Sequence, residues 1–138
     1  MAIHIHDRQL LEDLLAKLNG LKLNKWRPHH EKTFHGQFMW YSTTYSSTIG
    51  NLCVELIESN SHHILEYILR VFNENGYIGE FGGYNHHDES VKELYDKISV
   101  KFDDLERKLE KQKEKSEKQR ELNKQNEAEE TLSGLLYH

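Results

Sequence analysis

The sequence predicts an α+β fold: a four-stranded antiparallel meander sheet, with a short N-terminal helix and a long C-terminal helix that extends beyond the sheet. Leucines recur at helical spacing near the N-terminus, and β-branched and aromatic residues are concentrated between about residues 33 and 84. Residues 110–130 then hold many charges and no glycine or proline, a pattern that is typical of a solvated helix.

The first helix is predicted in "DRQLLEDLLAKLNG", residues 7–20. Asp7 is a favourable N-cap residue, and Gly20 is a favourable residue at which the helix can end. The leucines of this segment form one apolar stripe. Because a helix this short is only marginally stable alone, we expect the stripe to pack on the rest of the domain.

The strands are predicted in the segments "TFHGQFMWYS", "GNLCVELIE", "ILEYILRVF" and "YIGEFGGY". The turn-like clusters "TTYSST", "SNSH" and "NENG" separate them, and "LKLNKW" before Pro28 can add a short edge strand. Asn75-Gly76 is a strong hairpin signal because both residues tolerate positive φ. If "NENG" is a four-residue loop, Phe72 pairs with Tyr77.

The side chains of a strand alternate between two faces, which divides the predicted sheet into two sets of residues. The core face is expected to hold Phe34, Phe38, Trp40, Leu52, Val54, Leu56, Leu65, Tyr67, Leu69 and Val71. The opposite face mixes apolar and charged side chains, and it includes Met39, Tyr41, Glu55, Glu66 and Arg70. A face in contact with water should be more uniformly polar. We therefore expect the first helix or a partner chain to cover part of this face.

The second helix is predicted to begin at Ser90, because "SVKE" matches the S-x-x-E capping box. Its apolar stripe continues to Leu109 and then stops. Between residues 90 and 130 a continuous helix would be about 60 Å long, which is more than a small sheet requires. The sequence thus predicts a compact domain over residues 1–109 and a charged helical extension with a short apolar tail over residues 110–138.

Composition excludes several classes of function. The chain has 138 residues and a net charge of −5 without a basic stripe, which argues against binding to duplex nucleic acid. No stretch approaches the roughly 20 apolar residues of a membrane span, and no signal peptide is apparent. Cys53 is the single cysteine. Since no intramolecular disulfide can form, we expect a cytoplasmic protein.

Two histidine doublets meet at the open end of the predicted hairpin. With a four-residue loop His63 lies opposite His86, and His62 lies opposite His87. Cross-strand neighbours are about 5 Å apart at Cβ, within reach of a shared cation such as zinc. With a two-residue turn the register slips by two, and His63 faces Asp88. The alternative interpretation is a polar strand end whose histidines bind nothing.

A second group of polar residues lies on the mixed face of the sheet. With "SNSH" as the loop, Glu55 pairs directly with Glu66, and two facing carboxylates repel unless a cation or a proton lies between them. Arg70 lies further along the same face. The group is interpreted as an acid–base pair, as a solvated patch with an ordinary ion pair, or as polar contacts within an interface.

No catalytic motif accompanies these residues, so we expect a non-enzymatic protein-binding or regulatory protein of the inhibitor, adaptor or immunity type. Homo-oligomers are expected to form through the sheet face and the long helix, with Gln112 and Gln119 at seam positions of a weak coiled coil. The tail residues Leu135, Leu136 and Tyr137 are predicted to dock on a partner. One alternative is a metal-binding protein or metal-dependent enzyme that uses the histidines. Another is the capture of a small anionic ligand between subunits near Arg70.

Overall fold

The computed structural model describes residues 2–61, 64–83 and 89–137. Its elements follow the chain in the order helix, short 3₁₀ turn, strands, helix. The helices are α1, Arg8–Asn19, and α2, Glu89–Leu136. The strands are β1, Arg27–His35; β2, Phe38–Ile49; β3, Leu52–Ser61; β4, Ile64–Asn73; and β5, Gly76–Gly82.

The strands form one antiparallel sheet in the order β1-β2-β3-β4-β5. The α+β class and the two helices are confirmed, but the sheet has five strands and not four. The additional strand arises because Gly36, with a φ of 63°, turns the chain inside "TFHGQFMWYS", which the sequence predicts as one strand. The predicted turn "TTYSST" lies inside β2, since threonine, tyrosine and serine are also acceptable in a paired strand.

Helix α1 and the first turns of α2 provide the apolar surface that covers one face of the sheet. The buried leucines of α1 are Leu11, Leu15 and Leu18, preceded by the predicted cap Asp7, whose side chain accepts from the N–H groups of Gln9 and Leu10. The buried residues of α2 are Val91, Leu94, Tyr95 and Ile98. The sheet contributes Tyr45, Val54, Leu56, Tyr67, Leu69, Val71 and Phe81.

Three of the predicted core residues are exposed instead. Phe34, Phe38 and Leu65 lie near the ends of β1, β2 and β4, and more than half of each side chain is in contact with water. Phe34 and Leu65 lie on the covered face where the helices do not reach, whereas Phe38 lies on the opposite face, since seven residues separate it from the buried Tyr45. By the same alternation Met39 and Tyr41 share the face of Tyr45, and they do not lie on the face of Glu55 and Arg70 as the sequence predicted. The prediction was therefore correct for the middle of the sheet and wrong for its ends.

Residues 3–5 add a short parallel pairing to the outer edge of β5. The Ile5 N–H donates to the Glu80 carbonyl at 2.9 Å, and the Glu80 N–H donates to the Ile3 carbonyl at 2.8 Å. Gly79 permits this close approach, since a Cβ there would lie 2.9 Å from side-chain carbons of Ile5. The edge of β5 is thus covered at Glu80.

Helix α2 starts at Glu89, so Ser90 lies inside the first turn and not at the predicted cap position. Its burial ends at Ile98, whereas Leu105 and Leu109, which the sequence placed in the packed half, are exposed. Apolar spacing alone does not reveal where the covered surface ends. Contacts divide the chain into two units, Met1–Val100 and Lys101–His138. Over the described residues, neither helix is long and apolar enough to cross a membrane.

The sheet core predicts a large difference between two leucines of β4. Leu69 is 0% exposed and Leu65 is 51% exposed, although both lie on the same face of the strand. Leu69→Ala should lower the free energy of unfolding by about 2–5 kcal/mol because it leaves a cavity. Leu65→Ala should lower it by less than about 1 kcal/mol. Urea unfolding measures both, and equal losses would contradict the packing described here.

Candidate functional site

The ladder between β2 and β3 ends before the strands do. It runs from Ile49↔Leu52 to Thr44↔Ile57. Beyond it, residues 38–43 pair with β1 alone and residues 58–61 pair with β4 alone. At this end the sheet divides into two strand pairs, which we call the β1–β2 arm (residues 30–43) and the β3–β4 arm (residues 58–61 and 64–67).

A cleft of about 890 Å³ lies over the sheet face that carries Thr44, Glu55 and Arg70, and it extends to the arms. Tyr41 and Ser42 line it from β2, and Glu58 and Ser59 line it from β3. Neighbouring residues of a strand point to opposite faces. A cavity that contacts both members of each pair therefore reaches the strand edges, and it is not confined to one face of the sheet.

The backbone groups of β2 that face the cleft follow from the two hairpin turns. The residues that flank a two-residue turn bond to each other, and the bonds to that neighbour recur at every second residue. Phe38 flanks the turn to β1, and Ile49 flanks the turn to β3. Even-numbered residues of β2 therefore bond to β1. Met39, Tyr41 and Thr43 direct their N–H and C=O groups towards the cleft.

A cluster of tyrosines holds the point where the arms separate. The Tyr95 ring of α2 lies 5.2 Å from the Tyr45 ring and 5.3 Å from the Tyr67 ring, measured between centroids. Its hydroxyl donates to the Thr43 carbonyl at 2.7 Å, immediately beyond the last β2–β3 pair. The Tyr67 hydroxyl donates to Glu58 Oε2 at 2.9 Å. Burial raises the pKa of Tyr95 above its ordinary value, and the nearby Glu58 carboxylate raises it further.

The floor of the cleft is polar, but its charges are not arranged as the sequence predicted. Glu55 lies across from Arg70, and Glu66 lies across from Ser59, so the two carboxylates do not face each other. The predicted register was wrong because β3 continues through "SNS" to Ser61. Glu55 and Glu66 therefore do not form the facing pair of carboxylates that an acid–base role would require.

Arg70 is engaged on the β5 side. Its Nε lies 3.7 Å from Glu80 Oε1, and the Glu80 side chain is buried. The same carboxylate oxygen accepts the Tyr77 hydroxyl at 2.7 Å, and that hydroxyl accepts the Ile3 N–H at 3.1 Å. Burial is the first cause that raises the pKa of Tyr77, and its hydrogen bond to Glu80 is the second. Arg70 thus has a structural partner as well as a position in the cleft.

Both arms carry exposed apolar side chains: Tyr41 and Leu65, which is 51% exposed, line the cleft, and further ones lie along the β1–β2 arm. Phe34 is 68% exposed, Phe38 72%, Met39 41% and Tyr41 65%. Lys32 Nζ lies 5.5 Å from the centre of the Tyr41 ring. Met39 and Tyr41 were predicted as interaction residues, whereas Phe34 and Phe38 were assigned to the core. Tyr95 was identified only as a member of a helical stripe, although a buried tyrosine hydroxyl requires a partner.

The predicted metal site lies outside the described residues, because these exclude His62, His63, His86 and His87. The hairpin is present, with Asn73↔Gly76 flanking the turn and Phe72 paired with Tyr77, but the register shifts between Phe72 and Val71, so that Val71 pairs with Gly79. Within residues 2–61, 64–83 and 89–137, no group of three or more His, Cys, Asp or Glu side chains could hold a metal ion. Zinc binding by the histidines stays a prediction.

The predicted tail contact falls in the unit Lys101–His138. Leu135 and Leu136 occupy the last turn of α2, Tyr137 follows it, and all three side chains are exposed. Their docking on a partner stays a prediction.

Comparison of the chain with protein-family models, with curated proteins and with solved structures finds no match in any of the three.

The junction of the arms predicts a pH-dependent contribution from Tyr95. Tyr95→Phe should lower the free energy of unfolding by about 1–2 kcal/mol at neutral pH, because the Thr43 carbonyl loses its donor. The folded chain holds the phenolic proton more tightly than the unfolded chain does. The stabilisation is therefore fully present below the ordinary pKa of 10.0 and is lost as the pH rises above it.

Urea unfolding between about pH 8 and pH 11 measures this effect, since the wild type should lose stability more steeply above the ordinary tyrosine pKa than Tyr95→Phe does. Tyr41→Phe is the matched control, because its ring is exposed, and it should follow the wild type. Identical pH profiles for the wild type and Tyr95→Phe would contradict the described role of this hydroxyl.

Proposed function

We propose that the chain is a non-enzymatic protein-binding protein, of a regulatory, inhibitor or adaptor kind, which binds its partner at the arms. The observation that carries the proposal is the pair of unpaired strand edges beside exposed apolar side chains. Unpaired edges are templates for pairing with another chain. Exposed apolar patches on a domain mark interaction surfaces.

The other edges of the sheet are protected, which supports the choice of the cleft. The outer strand β1 contains Arg27, Pro28, Glu31 and Lys32, and charged residues and proline discourage pairing at an edge. The edge of β5 is covered at Glu80 by residues 3–5. In contrast, residues 38–43, "FMWYST", contain neither a charge nor a proline. A partner that covers this segment would remove the unprotected edge.

The proposal includes most of the residues that the sequence suggested for interaction. Met39 and Tyr41 belong to the β1–β2 arm, and Glu55, Glu66 and Arg70 lie on the sheet face that the cleft opens onto. Homo-oligomer formation through this face and through α2 remains part of the proposal. So does a cytoplasmic location, with a protein rather than a nucleic acid or a membrane as the partner.

A photo-crosslinking experiment tests the proposal. Phe38 is replaced by benzoylphenylalanine in the full chain, and Leu10, an exposed residue of α1, is replaced in a matched control. We expect a discrete crosslinked product from position 38 and none from position 10. A product of about twice the 16.4 kDa chain mass would identify a second copy as the partner, and another mass would identify a different protein.

The identified partner is then mixed with the purified chain. Phe38→Ser should weaken binding at least about tenfold, which corresponds to about 1.4 kcal/mol. The free energy of unfolding should change little, because the ring is mostly exposed. Equal crosslinking from positions 38 and 10, or none from position 38, would refute the arms as a binding surface.

A small anionic ligand is the second candidate, and the cationic groups of the cleft favour it. Arg27 lines the cleft and makes no ion pair with a described residue. Arg70 has further N–H donors besides the Nε that lies near Glu80. The cleft volume of about 890 Å³ also falls within the range of small-molecule sites.

This candidate predicts that inorganic phosphate raises the Tm of the wild type, because a ligand that binds the folded chain stabilises it. Arg27→Gln should abolish the shift. It is a cleaner variant than Arg70→Ala, which would leave the buried Glu80 without its cation. Glu74→Gln, at the opposite end of the sheet, is the control. An unchanged Tm in the wild type would exclude phosphate as the ligand.

A further inference from the structure

The backbone groups at the cleft define the kind of chain that can fill it. Met39 and Tyr41 present N–H and C=O groups from β2, while the Thr43 carbonyl already accepts from Tyr95. By the same alternation, starting from Leu52 at the turn, the backbone groups of Glu58 and Asn60 point to the cleft from β3. A single strand placed between the arms would bond to both edges.

The free strand edge of a second copy would pair with fewer backbone groups of the cleft than an extended peptide would. Residues 38–43 of the second copy have one free edge, because the other edge is bonded to β1. Pairing with that edge would leave one arm of the cleft unpaired. An extended segment from another protein has two free edges and fits between both arms. The paired lengths, residues 38–43 and 58–61, allow a segment of about four to six residues, or about 13–20 Å.

The side chains around the cleft specify a charge for this segment. Glu31 lies across from Ser42 on the β1–β2 arm, and Ser59 lies across from Glu66 on the β3–β4 arm. The register of Thr44↔Ile57 puts Ser42 and Ser59 at the same level on opposite sides of the cleft. A residue inserted between them has a serine on each side and a glutamate beyond each serine.

The carboxylates of Glu31 and Glu66 each have an oxygen that can bind a cation. Glu31 Oε1 lies 3.0 Å from His29 Nε2, which leaves its second oxygen for another donor. Glu66 forms no ion pair with a described residue. Lysine and arginine are long enough to bond to serine hydroxyls and to carboxylates beyond them, and such charge-assisted bonds are strong. The residues before and after the cation would point to the other face, one beside the exposed Tyr41 and one beside the half-buried Thr43.

We propose that the cleft binds an extended peptide segment of a protein partner, in which a lysine or arginine lies between two apolar residues. The segment adds as a strand between β2 and β3, with its cation between the Glu31–Ser42 and Ser59–Glu66 pairs and its two apolar neighbours beside Tyr41 and Thr43. This inference rests on the proposed protein-binding function and specifies the chemistry of the partner.

Isothermal titration calorimetry with capped seven-residue peptides tests the proposal on the full chain. The probe has a central lysine between two valines, with threonine elsewhere. One comparison peptide has glutamate in place of lysine, and another is N-methylated at both valines. We expect the lysine peptide to bind at least about tenfold more tightly than either, the factor that corresponds to about 1.4 kcal/mol.

Variants of the chain separate the contribution of charge from that of strand pairing. The double variant Glu31→Gln, Glu66→Gln should remove the preference for lysine over glutamate, whereas Glu74→Gln, remote from the cleft, should preserve it. Tyr41→Pro removes a cleft-facing N–H and leaves the pairing of β2 with β1 intact, so it should weaken binding. Tyr41→Thr keeps the N–H and should retain more of the affinity.

The outcomes distinguish this inference from the proposed function. If the lysine peptide does not bind while position 38 still crosslinks a partner, strand insertion is wrong and protein binding stands. If the N-methylated peptide binds as well as its parent, strand pairing is overturned even where Tyr41→Pro fails to fold. Equal affinity for the lysine and glutamate peptides would overturn the predicted charge. If neither crosslinking nor peptide binding occurs, both proposals fail.

Discussion

The hydrogen bond from the Tyr95 hydroxyl to the Thr43 carbonyl is the interaction on which the cleft depends. Every backbone C=O near a core needs a donor, and in a continuous sheet β3 would supply the one for Thr43. Here a side chain of α2 supplies it, and the Tyr95 ring lies between Tyr45 and Tyr67. The core can therefore close around Tyr95 although the two arms separate at that point.

The same constraint explains why the arms differ from the centre of the sheet. Around Val54, Leu56 and Leu69, strands pair on both sides and the side chains are fully buried beneath the helices. Within each arm, a strand is paired with only one neighbouring strand. The outer residues of the arms lie beyond the surface that α1 and α2 bury. Backbone groups and apolar side chains become available together there, because one boundary limits both the ladder and the helix packing.

The parts that the sequence predicted correctly are those that local signals determine. Asp7 caps α1, three leucines of its stripe (Leu11, Leu15 and Leu18) face the core, and the turn before Gly76 closes the hairpin that pairs Phe72 with Tyr77. The register of β3 with β4 was wrong because "SNS" is compatible with both a turn and a strand. That choice moved Glu66 away from Glu55 and placed Arg70 there instead.

The cleft itself could not be predicted from the sequence, because a ladder ends for three-dimensional reasons. Nothing in the alternation of "FMWYST" indicates that its inner edge lacks a neighbour. The sequence placed Met39, Tyr41, Glu66 and Arg70 together on one face, whereas the register puts Met39 and Tyr41 on the face of Tyr45 and puts Glu66 and Arg70 on the other face. All four nevertheless lie on or beside the arms or the cleft. Residue type thus revealed the surface, while register and burial determined its shape.

The pairing of residues 3–5 with β5 has a consequence for how the chain acquires its structure. The hydrogen bond from the Ile3 N–H to the Tyr77 hydroxyl joins positions 74 residues apart, whereas the strands of the meander contact their sequence neighbours. Contacts between distant residues carry a larger loop-closure cost and form after local ones. During synthesis residues 3–5 leave the ribosome before β5 does, so they must wait for that strand. Until Glu80 has emerged, residues 3–5 cannot form their backbone hydrogen bonds with β5.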